Sequence, residues 1–243
     1  IHDLSDELLE KIIEKYNNEN SSKALEYCDD FIKKYPKYRK IDEVKSIQQN
    51  ITKPYFSTHF NENVLYPNEK CSFKVEWQNI GGFKLNWYKI DDMSYNDIDK
   101  LQKGKNEELL TLKKKYKVSE SVSYNFADKH RFSMADSTLY CKVPGYGIYI
   151  VEAEPIETID SDYEIYEKSQ KILFVSSLSI LKEDLPSGES KLIIIDSKSG
   201  HIAEDAKLVL ANDTLYNANS TYIINKRASR VRAIRGNDEY MPF

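Results

Sequence analysis

Catalysis needs nucleophiles, bases or metal ligands at workable spacing. This 243-residue sequence supplies the residue types without the spacing. Its histidines are His2, His59, His130 and His201, and no two stand at i, i+2 or i, i+4. They read as surface or structural side chains rather than as a zinc site. Its three cysteines, Cys28, Cys71 and Cys141, are too few and too odd in number for a disulfide framework, and none pairs at metal-ligand spacing. Three buried thiols is the main reading. A Cys71–Cys141 bridge stays open as the alternative, because both would sit on strands. Serine chemistry has no Gly-x-Ser-x-Gly elbow, and no Ser-x-x-Lys with its companion motifs. Ser119-Glu120-Ser121-Val122 and Ser176-Ser177-Leu178 read as ordinary strand sequence.

The charged clusters are equally bland. Asp29-Asp30, Asp91-Asp92 and Asp160-Ser161-Asp162 are acidic. The last begins like a calcium loop but lacks the glycine and the distal glutamate. Lys113-Lys114-Lys115 with Lys117, and Arg227, Arg230, Arg232 and Arg235, are basic, but Glu107-Glu108 and Asp238-Glu239 dilute them. A charged solvent face, or salt bridges to an adjacent domain, is the expected role. With 35 Lys+Arg against 39 Asp+Glu the net charge is −4, a poor field for binding nucleic acid. Eight glycines leave little for nucleotide-binding loops. No apolar run reaches the roughly 18 residues of a membrane-spanning helix. No catalytic, cofactor or metal site is assigned, and the chain is expected not to be an enzyme. Starting at Ile1 with no signal peptide, it reads as a piece excised from a longer protein.

The elements that would position such residues change character along the chain. Residues 1–52 carry apolar side chains at helical spacing: Leu4, Leu8, Leu9, Ile12, Ile13 and Tyr16, then Ala24, Leu25, Cys28, Phe31, Ile32 and Tyr35. Ser21 or Ser22 can cap the second helix and Pro36 ends it. A third starts near Tyr38, and Ile41, Val44 and Ile47 are expected to pack partly on the β region that follows. After Pro54 the period becomes two. Phe73, Trp77, Phe83 and Trp87 would share one face of a hairpin turned at Asn79-Ile80-Gly81-Gly82, as core rather than as a carbohydrate platform. A short helix is hinted within 94–116. Further strands are expected at 117–126, 137–143 and 148–153, the last apolar on both faces. An acidic linker or edge hairpin at 157–170 leads to strands at 172–181, 190–196, 206–210, 221–225 and 229–235. The expected fold is mainly β with an N-terminal helical segment (1–52), then two tandem antiparallel sandwiches, 53–158 and 159–243.

Several phrases resemble a known family. Ala24-Leu25-Glu26-Tyr27 with Phe31-Ile32-Lys33-Lys34-Tyr35-Pro36 is similar to the second helix of tetratricopeptide-type repeats. Pro67, Phe73 to Asn79 and Leu85 to Ile90 resemble the opening of a macroglobulin domain. Leu139 to Tyr149 is similar to the approach to its last strand. Leu173-Phe174-Val175-Ser176-Ser177-Leu178 resembles the strand opening the next domain. Leu192 to Asp196, Ser199-Gly200 and Asp205-Ala206-Lys207-Leu208 resemble a further signature, and Gly236-Asn237-Asp238 a terminal Gly-Asp-Asp-like one. His201-Ile202 replaces the family's proline and Asp205 its usual glycine. The Gly200 to Ala206 phrase also occurs in carboxypeptidase regulatory-type sandwiches.

The family is the bacterial alpha-2-macroglobulin-like proteins, especially the large Bacteroides-type forms. The resemblance implies a macroglobulin or immunoglobulin-like fold and a non-catalytic scaffold. It implies a parent in the periplasm or anchored to the outer membrane, trapping target proteases by collapse of a domain ring. Its partners would be the other domains of the parent chain and those proteases. The family's Cys-x-Glu-Gln thioester motif follows none of the three cysteines, and no bait segment is placed, so only the scaffold role carries over. Two other readings stay open: an adhesin or ligand-binding sandwich module, and an accessory segment of an enzyme.

Overall fold

The structure, a computed structural model, describes residues 4–17, 20–90, 113–127, 132–158, 169–210, 213–217, 219–225 and 231–241. The expected helix within 94–116 falls almost wholly outside these residues, as do Asp91-Asp92 and the acidic stretch 159–168.

Three helices open the chain: α1 (Leu4–Asn17), α2 (Ser21–Lys34) and α3 (Ile41–Thr52). Asn20, not Ser21 or Ser22, caps α2 by accepting the Lys23 N–H, and α2 stops just before Pro36 as proline requires. Leu9, Ile12, Ala24, Cys28, Phe31, Val44, Ile47 and Ile51 close a core of their own. Ile41, Val44 and Ile47, expected to pack partly on the β region, turn their apolar stripe mainly to the other helices. From the β part Phe132 joins this cluster.

The β region holds two pairs of sheets. In the first pair, β1 (Tyr55–Phe60), β3 (Lys70–Gln78) and β6 (Ala135–Lys142) form one sheet in the order β1-β3-β6. The second sheet contains β2 (Val64–Leu65), β4 (Ile80–Ile90), β5 (Val118–Asn125), β7 (Gly147–Thr158) and β8 (Ser169–Val175), in the order β2-β8-β7-β4-β5. Phe56, Phe60, Phe73 and Val75 from the first meet Phe83, Leu85, Trp87, Val151 and Leu173 from the second in one core. Phe60 stacks on Phe73 with ring centroids 4.9 Å apart, and Phe83 on Tyr124 at 4.8 Å.

This arrangement corrects the expected hairpin. β3 and β4 are consecutive but do not pair. Asn79, at φ 56°, turns the chain from one sheet into the other. Phe73, Phe83 and Trp87 are core as expected, but they face each other across the sandwich instead of lining one ribbon. Trp77 is half-buried and stacks on Phe126 at 4.0 Å.

The two-faced strand expected at 148–153 is present within β7. Tyr149, Val151 and Ala153 point into the core, while Ile148 and Ile150 join Tyr88, Ile90, Ile172, Phe174 and Met241 on the other face. The strand expected at 172–181 is two strands. β8 pairs with β7 and, in parallel, with β2; β9 (Leu178–Asp184) pairs with β10 (Glu189–Asp196). The sheets therefore change over at Ser176-Ser177 and not near residue 159.

The second pair sets β13-β10-β9 against β12-β11-β14-β15, the remaining strands being β11 (Lys207–Leu210), β12 (Asp213–Tyr216), β13 (Thr221–Asn225), β14 (Val231–Arg235) and β15 (Asp238–Tyr240). Leu178, Leu192, Ile194, Ala206, Leu208, Tyr222 and Ala233 close its core.

Candidate functional site

The densest polar chemistry lies where the two sheet pairs meet. Ser176 and Ser177 are the only residues between β8 and β9, and both are fully buried. Burying two hydroxyls and an N–H is costly unless each finds an acceptor. Asp238 on β15, itself 2% exposed, supplies it. Its Oδ1 accepts the Ser176 hydroxyl at 2.6 Å, and its Oδ2 accepts the Ser177 N–H at 3.0 Å and the Ser177 hydroxyl. Arg235 donates to the Ser177 oxygen at 2.9 Å. Gly236, at φ 60°, makes the β14–β15 turn that brings Asp238 back.

A second set of contacts lies beside the first. Tyr66, between β2 and β3, donates to the Asp196 carboxylate at 3.2 Å. The same carboxylate accepts the N–H groups of Ser199 at 2.9 Å and Lys198 at 3.2 Å, which closes the turn after β10. Those bonds, the Ser199 N–H foremost, hold Asp196 below the ordinary aspartate range. Burial, then the bond to Asp196, pushes the Tyr66 phenol up. Lys198 reaches back to Glu69 and lies over the Tyr66 ring at 5.3 Å. Two adjoining clefts of about 260 and 310 Å³ share Glu62, Leu65, Tyr66 and Glu69 as walls. Cys71 opens into the first and Lys198 into the second.

A third polar group is buried on the outer face of the larger sheet. Glu152 is fully buried and receives Lys113 Nζ at 2.6 Å, Gln170 Nε2 at 2.9 Å and the Tyr88 hydroxyl at 3.2 Å. Burial and the Glu152 charge push the Tyr88 phenol up to about 12.

The structure scatters the residues that the sequence singled out. His59 on β1 and His201 between β10 and β11 are both exposed; His2 and His130 lie outside the described residues. Cys28 is buried among the helices, where burial pushes its thiol up to about 11. Cys71 and Cys141 are free thiols facing each other. Asp29 accepts Gln48 from α3 at 2.7 Å, and Asp30 pairs with Lys34 at 3.0 Å. Lys113 serves Glu152, while Lys114, Lys115 and Lys117 are exposed. Arg232 pairs with Glu239 at 2.8 Å and Arg235 serves the junction, so both act inside the fold; Arg227 and Arg230 lie outside the described residues. Among the described residues no group of three or more His, Cys, Asp or Glu could hold a metal ion, and no helix is long and apolar enough to cross a membrane. Ser176 and Ser177, read as strand, are the junction itself. Tyr66 and Glu152 carried no signal beyond their polarity, and the Gly236-Asn237-Asp238 phrase gave no sign that Asp238 is buried, since burial of all three follows from tertiary contacts.

No protein-family model matches the chain, and no curated protein matches it. Among solved structures it is similar to the CARDB domain of a Pyrococcus furiosus protein crystallised with di-metal ions, at 12% identity and a TM-score of 0.26. That match covers 50% of this chain and 88% of the other.

Proposed function

We propose that the chain is a non-catalytic scaffold segment of an alpha-2-macroglobulin-like envelope protein whose parent traps proteases. Its two β units would be macroglobulin-like sandwiches in tandem. The observation that carries this reading is the Asp238 clamp. Two phrases of the resemblance, Leu173 to Leu178 and Gly236 to Asp238, stand about sixty residues apart, and their polar side chains share one buried hydrogen-bond cluster. A chain that transmits a cleavage-triggered rearrangement needs such fastened joints more than it needs reactive groups. Bonds to a charged acceptor contribute roughly 1.5–3 kcal/mol each. The adhesin reading would need Phe73, Trp77, Phe83 and Trp87 exposed as a platform, whereas Phe73, Phe83 and Trp87 are buried and Trp77 is half-buried.

The test uses the full-length parent, exposed to several unrelated proteases and followed by native gel and by mass spectrometry of the cut sites. Cuts confined to one segment, a compact product and retained protease are expected. Scattered cuts with no compaction and no retained protease would sink the trap and favour a binding module.

A further inference from the structure

We propose that Cys71 and Cys141 form a reversible cross-strand disulfide, with Cys71 as the entry point for a small disulfide oxidant such as oxidised glutathione. The two residues are direct partners in the antiparallel β3–β6 ladder, and their sulfurs stand 3.3 Å apart. Opposed residues of such a ladder have Cα atoms about 4.5–5.5 Å apart, inside the window of about 4.4–6.8 Å that a disulfide spans. Closing the S–S distance to about 2.05 Å then asks for side-chain rotation and no new backbone path.

Access is asymmetric, and this sets the order of events. Cys141 is 4% exposed within the core. Cys71 is half-buried and forms part of the wall of the 260 Å³ cleft. The hydrogen bond between the two sulfurs also favours the Cys71 thiolate and keeps Cys141 protonated. The Cys71 thiolate attacks one sulfur of the oxidant, forming a mixed disulfide and releasing one thiolate. Cys141 then loses its proton to solvent and attacks the Cys71 sulfur, displacing the second thiolate. The chain's two thiols are oxidised, the oxidant's disulfide is reduced to two thiols, and no other reactant is needed. The product ties β3 to β6 and closes a loop that contains β4 and β5.

The 243-residue chain is equilibrated in glutathione buffers of graded redox poise, acid-quenched, alkylated and mapped by mass spectrometry, with the melting temperature read at each poise. The expected result is a peptide linking Cys71 to Cys141 and a melting temperature raised by about 5 °C or more, reversed by dithiothreitol. Cys141→Ser should stop the sequence at a Cys71–glutathione adduct. The proposal is overturned if both thiols stay fully alkylatable in oxidised glutathione alone, or if the linkage found runs through Cys28. It is also overturned if Cys141→Ser leaves Cys71 unmodified.

Discussion

The side-chain amide of Asn79 donates to the carbonyl oxygen of Ile51 at 2.7 Å, tying the corner between the two facing sheets to the last turn of α3. Helix ends leave carbonyls without intrahelical donors, and here a β corner satisfies them. Asn79 also reaches Lys53 O at 3.3 Å, and neighbouring Gln78 reaches Asn50 O and Ile51 O at 3.0 Å each. Two properties are combined in Asn79: a positive φ of 56° and a buried amide donor. They separate by substitution. Asn79→Gly keeps the backbone and loses the bonds, at an expected cost of roughly 1–2 kcal/mol in denaturant unfolding. Asn79→Ala loses both and should cost about 1 kcal/mol more. Equal losses for the two variants would mean that the backbone conformation contributes nothing.

Asp196 makes stability depend on pH in a fixed direction. Its carboxyl sits below the ordinary aspartate range because Ser199, Lys198 and Tyr66 donate to the charged form. The unfolded chain therefore takes up this proton first as pH falls. The contribution is complete above the unfolded value, about 3.9, and fades as pH drops through the lower folded value. The stability difference between the natural chain and Asp196→Asn should be flat above about pH 5 and shrink below about pH 4. Urea midpoints across that range measure it. A difference unchanged down to about pH 2 would count against a charged Asp196 in the turn.

Period-two and period-3.6 patterns made most elements legible in the sequence, including the helices, the strands around Phe73 and Leu85, and the two-faced strand at Ile150. Pairing was not legible. Phe73 and Phe83 have the same alternation whether their strands are neighbours in a sheet or opposed across a core, and only Asn79's left-handed backbone decides it. Likewise Leu173 to Leu181 reads as one apolar strand, because two small serines at 176 and 177 interrupt nothing in the pattern. Their partner Asp238 lies about sixty residues away, beyond the reach of any local signal. The Cys71–Cys141 contact was half legible: strands were expected at both, but not that β3 and β6 are neighbours in register.

Gly82 is held by space rather than by a turn. A Cβ built there would lie 2.2 Å from Tyr124 O, a backbone atom of the paired strand β5. Relief requires the β4–β5 ladder to open. Gly82→Ala should therefore cost at least about 2 kcal/mol. Gly145 is the control, with nothing within 4 Å of the point where a Cβ would sit. Gly145→Ala should stay within about 0.5 kcal/mol of the natural chain. Thermal melts of the two variants side by side give the comparison, and similar losses for both would remove the steric account.

Asp205 has a φ of 66°, in the left-handed region that glycine adopts most readily. The left-handed backbone costs a residue with a Cβ about 1–2 kcal/mol, less for Asp, whose short side chain tolerates it. Asp205 is exposed and precedes Ala206, which is fully buried in the second core, so the turn itself must be kept. Glycine removes the backbone cost but adds about 0.5–1 kcal/mol of chain entropy in the unfolded state. The two effects leave Asp205→Gly neutral to slightly stabilising, by up to about 0.5 kcal/mol. Asp205→Ala should lose about 1 kcal/mol, and Asp205→Val more, because branching at Cβ worsens the same clash. The expected order of denaturant midpoints is glycine at or above aspartate, then alanine, then valine. An alanine variant as stable as the glycine variant would show that this turn relaxes out of the left-handed region in solution.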